Sequence, residues 1–294
     1  MKTRTIVVLA IALVSTLIYR HYKNEEDMID SREHQELIEE YLIGKLDKAK
    51  PWMWVHTPSD VNARCLASNN STDLNQPYLF VTMKSIVDKC QKFNVCLVND
   101  DSFRTLVPGW KTDLSTLGNP EKERVRAQGL TSLLYHYGGM VVPASTLCFE
   151  DLYGMYKEGG EFAVQLPNRG GFRVDPRFMG GRKKSDVLLK LLNMQKAANN
   201  TTDFTGAVNS WLESNVRTVC GTRVGVKRAD GGRVEIQDLL GKSSLNLNKK
   251  VEAIYIPADE IIARPIYGWF LRLSPSEFLK SETAIGNLAI KAFS

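Results

Sequence analysis

Short apolar runs alternate with longer amphipathic stretches along most of the chain. The apolar runs have the length of strands and cover residues 52–57, 94–100, 140–146 and 161–168. The amphipathic stretches repeat their apolar residues at helical spacing and cover residues 77–93, 121–139 and 186–198. Strands that alternate with helices predict an α/β fold, with a mainly parallel sheet flanked by helices.

The C-terminal tail shows a helical pattern from about Pro275 onward. Its apolar positions are Phe278, Leu279, Ile285, Leu288 and Phe293. This pattern predicts an amphipathic helix that closes the folded head of the protein.

Ligands of parallel α/β sheets bind beyond the carboxyl ends of the strands, so the strand ends supply the first candidate site residues. The first predicted strand ends at His56, and the second ends at Asp100 and Asp101. His56 is either a catalytic base or a structural histidine. Asp100 and Asp101 either bind a metal or ribose, or belong to an ordinary turn that begins at Asn99.

The N-terminus has the pattern of a membrane segment. Basic residues flank an uninterrupted run of apolar or small residues at 6–19. This run is shorter than the roughly 20 residues of a comfortable span, which leaves a cleaved signal peptide or a short signal anchor. No small-x-small cleavage site follows the run, so we predict an uncleaved anchor over residues 1–23. Flanking charge predicts a single-pass type II orientation, with the bulk of the chain outside the cytosol.

A highly charged segment, residues 24–50, follows the predicted anchor. Its apolar residues recur at helical spacing and are Met28, Leu37, Ile38, Tyr41, Leu42 and Leu46. We predict a helical stalk that ends before Pro51 and whose apolar stripe pairs with a second copy or docks on the head. Residues 51–294 then form the head domain.

Composition excludes some functions. The chain has 294 residues, is 43% hydrophobic and 24% charged, and carries a net charge of +5 without a Lys/Arg tract, so we expect no nucleic-acid partner. The five cysteines form no CxxC pair, which argues against a zinc site and a dense disulfide framework. Buried free thiols are the simpler interpretation, and one disulfide, for example Cys90 with Cys96, is the alternative.

Two clusters of overlapping N-x-S/T sequons accord with a head outside the cytosol. Their acceptor residues are Asn69, Asn70, Asn199 and Asn200. Both clusters lie in loop-like sequence, where N-glycosylation is accessible, so the protein is expected to be a glycoprotein.

Three motifs carry a family resemblance. The strand "MWVHT" ends at His56, the strand "CLVNDD" ends in two acids, and the helix "LLYHYGG" runs into a third strand. In this order they resemble the DXD-type sugar transferases with a GT-A fold, a group that includes the yeast outer-chain mannosyltransferase and capsular polysaccharide synthesis proteins. The resemblance covers roughly residues 51–150. It implies a GT-A-like fold, a nucleotide-sugar donor, a glycan acceptor and a divalent cation.

The residues that would perform the family's chemistry differ in this chain. The family's helix motif "SDxxR" places its aspartate at Ala127 and its arginine at Leu130, and the two DxD aspartates fall on Pro143 and Ser145. A hard cation needs oxygen ligands, but at these degenerate DXD positions Pro143 offers no side-chain ligand and Ser145 offers at best one weak ligand. We therefore expect no cofactor, and Mn²⁺ or Mg²⁺ only if a relocated site exists at Asp100 and Asp101.

The segment at 166–186, "LPNRGGFRVDPRFMGGRKKSD", offers a second way to hold a diphosphate. It contains two Gly-Gly pairs and several cations, among them Arg169, Arg173, Arg177 and Arg182. Glycines let backbone N–H groups approach a phosphate, and arginines bind phosphate with paired hydrogen bonds. The segment is either such a phosphate-binding loop or a flexible, solvated loop.

Two functions stay open from the sequence. One is a membrane-anchored glycosyltransferase that uses the 166–186 cations in place of the metal. The other is a catalytically inactive GT-A-like pseudoenzyme with a binding or structural role, in an ER or Golgi membrane or in a virion or cell-surface membrane. Its partner would be another protein or a second copy bound through the stalk.

Overall fold

The computed structural model describes residues 38–58, 76–168, 171–199 and 201–294. The predicted anchor, the first part of the predicted stalk and some site residues lie outside these ranges, namely 1–23, 24–37, Asn69, Asn70, Arg169 and Asn200. Within the described ranges, no helix combines the length and apolar character that a membrane crossing requires. The chain divides into a unit up to Tyr41 and a unit from Leu42 to Ser294.

The larger unit is built on a six-stranded sheet of order β2-β1-β3-β6-β5-β7, with a separate β4-β8 pair. The strands are β1 (Trp52–His56), β2 (Asn94–Val98), β3 (Gly139–Pro143), β4 (Thr146–Cys148), β5 (Phe162–Asn168), β6 (Gly171–Gly181), β7 (Arg217–Val219) and β8 (Ala253–Tyr255). β1 is parallel to β2 and β3, and β5 is parallel to β7, whereas β6 is antiparallel to both of its neighbours. The predicted α/β fold with a mostly parallel sheet is confirmed.

Helices flank this sheet. They are α1 (Tyr78–Lys89), α2 (Ser102–Leu106), α3 (Glu121–Tyr137), α4 (Tyr153–Lys157), α5 (Asp186–Ala198), α6 (Phe204–Asn215), α7 (Ile236–Leu240), α8 (Ala258–Ile262), α9 (Gly268–Leu271), α10 (Pro275–Lys280) and α11 (Ala284–Phe293). Short 3₁₀ turns occur at Leu114–Thr116 and Pro265–Tyr267. The three predicted helices of the head are confirmed as α1, α3 and α5.

Two predicted elements are each divided in the structure. The strand predicted at 140–146 is β3 followed by β4, which begins at Thr146 and belongs to the second sheet. The helix predicted from Pro275 onward is α10 followed by α11. The second helix starts anew because the Thr283 hydroxyl accepts a hydrogen bond from the Gly286 N–H at 3.0 Å, which is an N-cap.

The last part of the predicted stalk is not a helix. Residues 42–50 contain no helical segment. Leu42 instead forms an antiparallel bridge with Cys96, and the Ile43 N–H donates to the Val95 carbonyl at 2.8 Å. β2 is an edge strand of the sheet, and its unpaired backbone groups offer this segment hydrogen bonds that an exposed helix would not gain.

The two glycines of the "YHYGG" run are required by the backbone. Gly138 ends α3 with a φ of +74°, and Gly139 begins β3 with a φ of +97°. A Cβ at position 139 would lie 2.1 Å from the Trp52 carbonyl oxygen. The chain passes directly from α3 into β3 beside β1, and this tight connection requires glycine at position 139.

Candidate functional site

The three parallel strands β1, β2 and β3 end at the same edge of the sheet. His56, the last residue of β1, pairs with Val98 of β2 on one side and with Pro143 of β3 on the other. Asp100 follows β2 by two residues. The structure therefore brings together the strand ends from which ligand binding is expected in such a sheet.

A buried ion cluster lies at this edge and consists of His56, Asp100 and Arg126. Arg126 donates from Nε to Asp100 Oδ1 at 2.8 Å and from Nη2 to Oδ2 at 2.7 Å. His56 Nε2 lies 3.0 Å from the same Oδ1. The three residues are 7%, 5% and 3% exposed, respectively. A bidentate arginine–carboxylate pair of this kind holds its partners in one geometry.

The charges around the ion cluster keep Asp100 ionised. Burial alone raises the pKa of the Asp100 carboxyl, but the hydrogen bonds and charges of Arg126 and His56 outweigh burial and hold that pKa well below its usual range. Glu123 accepts a third hydrogen bond from Arg126 at 2.5 Å, and Phe103 stacks on the His56 ring with centroids 5.6 Å apart. The ion cluster thus ties β1, the loop after β2 and α3 together.

Sequence reasoning missed Arg126, although a signal for it was present. Arg126 shares a helix face with Leu130, Leu133 and Tyr137, because positions i, i+4, i+7 and i+11 align on an α-helix. A charged residue on the apolar face of a helix requires a buried partner, since an unpaired buried charge is costly. The structure supplies Asp100 as that partner.

The two predicted acids at the end of β2 have different environments. Asp101 is exposed at the start of α2, and its side chain makes no capping bond. The turn is held instead by Asn99 and Ser102, whose side chains each accept a hydrogen bond from the other residue's backbone N–H at 2.9 Å. Asp100 and Asp101 therefore do not act as a pair.

The residues at the degenerate DXD positions do not fit a metal. Pro143 has no side-chain ligand, and Ser145 is 4% exposed. The Thr82 hydroxyl donates to the Ala144 carbonyl at 2.6 Å, and the Ile256 N–H donates to the Ser145 carbonyl at 3.0 Å. The strand end is thus packed between α1 and the segment after β8. Among the described ranges of the chain, no group of three or more His, Cys, Asp or Glu side chains could hold a metal.

The segment at 166–186 is not the loop that its composition predicts. Most of it forms the end of β5 and the eleven-residue strand β6. Apolar residues alternate strictly with charged ones from Phe172 to Phe178, which is the pattern of a half-buried strand. The Gly-Gly pairs and the cations obscured this alternation.

The three described arginines of this segment are paired with different carboxylates. Arg173 lies 3.3 Å from Glu213, and the largely exposed Arg182 lies 3.5 Å from Glu161. Arg177 contacts both Asp175 and Asp259, the first of these at 2.9 Å. Two carboxylates around one guanidinium leave a local charge of −1, which disfavours a diphosphate. These arginines bind acids other than Asp100, which pairs with Arg126.

One sequon acceptor can be placed. Asn199 follows α5 and is half-buried, and its side-chain oxygen accepts a hydrogen bond from Gln128 Nε2 at 2.8 Å. Glycosylation at this position stays a prediction.

No protein-family model matches the chain, and no curated protein matches it either. The resemblance to DXD-type sugar transferases therefore depends on the three quoted motifs.

The ion cluster predicts a specific pH dependence. The lowered pKa of Asp100 means that its contribution to stability is fully present above about pH 5 and is lost progressively as the pH falls toward that pKa. In an Asp100→Asn variant this contribution does not titrate. We expect its free energy of unfolding, measured by urea denaturation from pH 7 to pH 2.5, to fall less steeply on acidification than that of the wild type.

The exposed neighbour provides the control for this prediction. An Asp101→Asn variant should keep the wild-type profile, because Asp101 lies outside the ion cluster. Equal acid slopes for the wild type and Asp100→Asn would contradict the assignment.

Proposed function

We propose that this chain is a GT-A-like pseudoenzyme: its fold resembles that of a sugar transferase, but it serves binding or structure rather than metal-dependent sugar transfer. One observation carries the proposal. Asp100, the better placed of the two acids after β2, is 5% exposed and has both oxygens on Arg126. A carboxylate held in this way stabilises the fold and is a poor ligand for a metal ion.

The contrast between retained and changed residues in the motifs that carry the resemblance supports the proposal. The retained residues of "LLYHYGG" serve the backbone: Gly138 and Gly139 have positive φ angles, and the Tyr137 hydroxyl donates to the Leu106 carbonyl at 2.5 Å. The changed residues are those that would serve the chemistry, including Pro143 and Ser145. A chain that keeps a fold and loses its site is expected when the fold has another use.

The transferase alternative has less support from the described residues. It needs free cations near the strand ends, and Arg173 and Arg177 are each paired with acids. We also propose that the protein is a type II membrane protein. Its head would face a lumen or the outside of a cell or virion.

Calorimetric titration of the full chain tests the proposal. The titrants are UDP, GDP and their sugars, each with and without Mn²⁺. We expect no manganese-dependent binding, because Pro143 has no side-chain ligand and Ser145 offers only one buried hydroxyl. Binding that requires Mn²⁺ would contradict the proposal and would point to a relocated metal site.

A second outcome would favour the transferase. Metal-independent binding that is lost in an Arg177→Gln variant, and kept in an Arg264→Gln variant, would show that the β6 cations hold a diphosphate. Arg264 is the matched control because it lies outside the 166–186 segment and pairs with Glu260, with its side chain 48% exposed.

A further inference from the structure

Two cysteines far apart in sequence meet in the core of the larger unit. Cys90 follows the last residue of α1, and Cys148 is the last residue of β4. Both are 0% exposed and belong to the same hydrophobic cluster. The neighbouring Cys90 thiol, followed by burial, raises the pKa of the Cys148 thiol well above its usual value, and both cysteines are in the reduced form.

Hydrogen bonds on both sides of Cys90 hold α1 and the loop after it against β4 and the loop after it. On one side, the Ser85 hydroxyl in α1 accepts a hydrogen bond from the Cys148 N–H at 2.8 Å. On the other side, the Lys92 N–H donates to Asp151 Oδ2 at 3.1 Å. The segments before and after each cysteine are therefore held in register. Cys90 lies between these two contacts on its side, and a disulfide requires two cysteines on such closely packed backbones.

The pairing of Cys90 with Cys96, considered from the sequence, is excluded by strand alternation. Cys96 pairs with Trp54 across β1 and β2, and Trp54 contacts Tyr137 of α3. Val95, the preceding residue, points to the opposite face and shares the core cluster with Cys90. Since successive strand residues point to opposite faces, the Cys96 thiol lies across the sheet from Cys90.

We propose that Cys90 and Cys148 form a disulfide when the chain folds in an oxidising compartment. The step is thiol–disulfide exchange: the two thiols are oxidised to one S–S bond, and a small-molecule or protein disulfide is reduced to two thiols, so that two electrons and two protons are transferred. The bond joins α1 to β4 and closes a loop over residues 91–147. That loop includes the Asp100 turn, α3 and β3.

The bond stabilises the fold chiefly by restricting the unfolded chain. For a loop of this length we expect the oxidised chain to have a Tm about 5–10 °C above that of the reduced chain. This inference does not depend on the proposed function, because it concerns the core and not the edge of the sheet.

The experiment uses the full chain, refolded in a buffer of oxidised and reduced glutathione. Free thiols are blocked by alkylation, and the disulfide-linked peptides are mapped by mass spectrometry. We expect a linked peptide that joins Cys90 to Cys148, and alkylation of Cys96 and Cys220. Cys220 is the accessible thiol in the described part of the chain and serves as the labelling control.

Variants extend the test. Cys90→Ser and Cys148→Ser should each abolish the linked peptide and the rise in Tm on oxidation, whereas Cys220→Ser should retain both. The proposal is overturned if the wild-type chain, refolded under the same conditions, shows Cys90 and Cys148 alkylated, bound to glutathione or paired with Cys65. This reading uses the wild-type chain and therefore does not depend on the folding of any variant.

Discussion

An Arg126→Met variant is expected to lose about 3–5 kcal/mol of the free energy of unfolding. Methionine keeps much of the side-chain volume but removes both hydrogen bonds to Asp100, which lie at 2.8 and 2.7 Å. Asp100 then remains buried without the guanidinium that compensates its charge. Breaking one side of a buried ion pair costs more than the pair itself contributes, because the remaining charge stays desolvated.

Urea denaturation followed by circular dichroism measures this loss. Arg173→Met is the matched control, because Arg173 forms an exposed pair with Glu213 and should lose at most about 1 kcal/mol. An Arg126→Met and Asp100→Asn double variant should recover part of the loss, since it removes both members of the charged pair. If Arg126→Met loses no more free energy of unfolding than Arg173→Met, the ion cluster does not stabilise the fold.

A Gly139→Ala variant is expected to lose a similar amount, about 3–5 kcal/mol, from steric overlap and backbone strain together. The added Cβ would lie 2.1 Å from the Trp52 carbonyl oxygen and 2.8 Å from its carbonyl carbon. These atoms belong to the backbone of β1 and cannot rotate away. The φ of +97° adds a conformation that residues with side chains rarely adopt.

A second glycine separates the two causes. Gly159 also has a positive φ, of +81°, but an added Cβ there would meet nothing within 4 Å. A Gly159→Ala variant should therefore lose only the strain contribution, about 1–2 kcal/mol. Equal losses of the free energy of unfolding in Gly139→Ala and Gly159→Ala, measured by thermal and urea denaturation, would show that the connection between α3 and β3 tolerates a side chain.

The first prediction concerns the ion cluster of the candidate site, and the second concerns the amino-terminal end of β3, at the opposite edge of the sheet. The close approach of the Trp52 carbonyl explains why position 139 is glycine in the connection between α3 and β3. The two hydrogen bonds from Arg126 explain how the Asp100 carboxylate can be buried after β2. Together they show that Asp100 and Gly139, both in the motifs that carry the resemblance, have structural roles in this chain.

The periodicity of the sequence was sufficient to predict most of the sheet and its helices. α5 occupies the predicted residues 186–198, and β1 and β2 end within two residues of their predicted ends. These elements are local: their apolar residues recur with the period of the element that buries them. The strand β6 followed the same rule, but its arginines and glycines led to the prediction of a loop.

The tertiary structure alone decided which distant residues meet. Periodicity placed Asp100 at a strand end and carried an unused signal for Arg126 on an apolar helix face, but the packing of α3 against the sheet joined them. In the same way, Cys90 and Cys148 share the core because β4 lies against α1, whereas Cys96 lies on the opposite face of β2. The pattern along a chain records which side of each element is buried. The partners across the core follow from the order of strands and helices, and that order fixed the chemistry of this sheet edge.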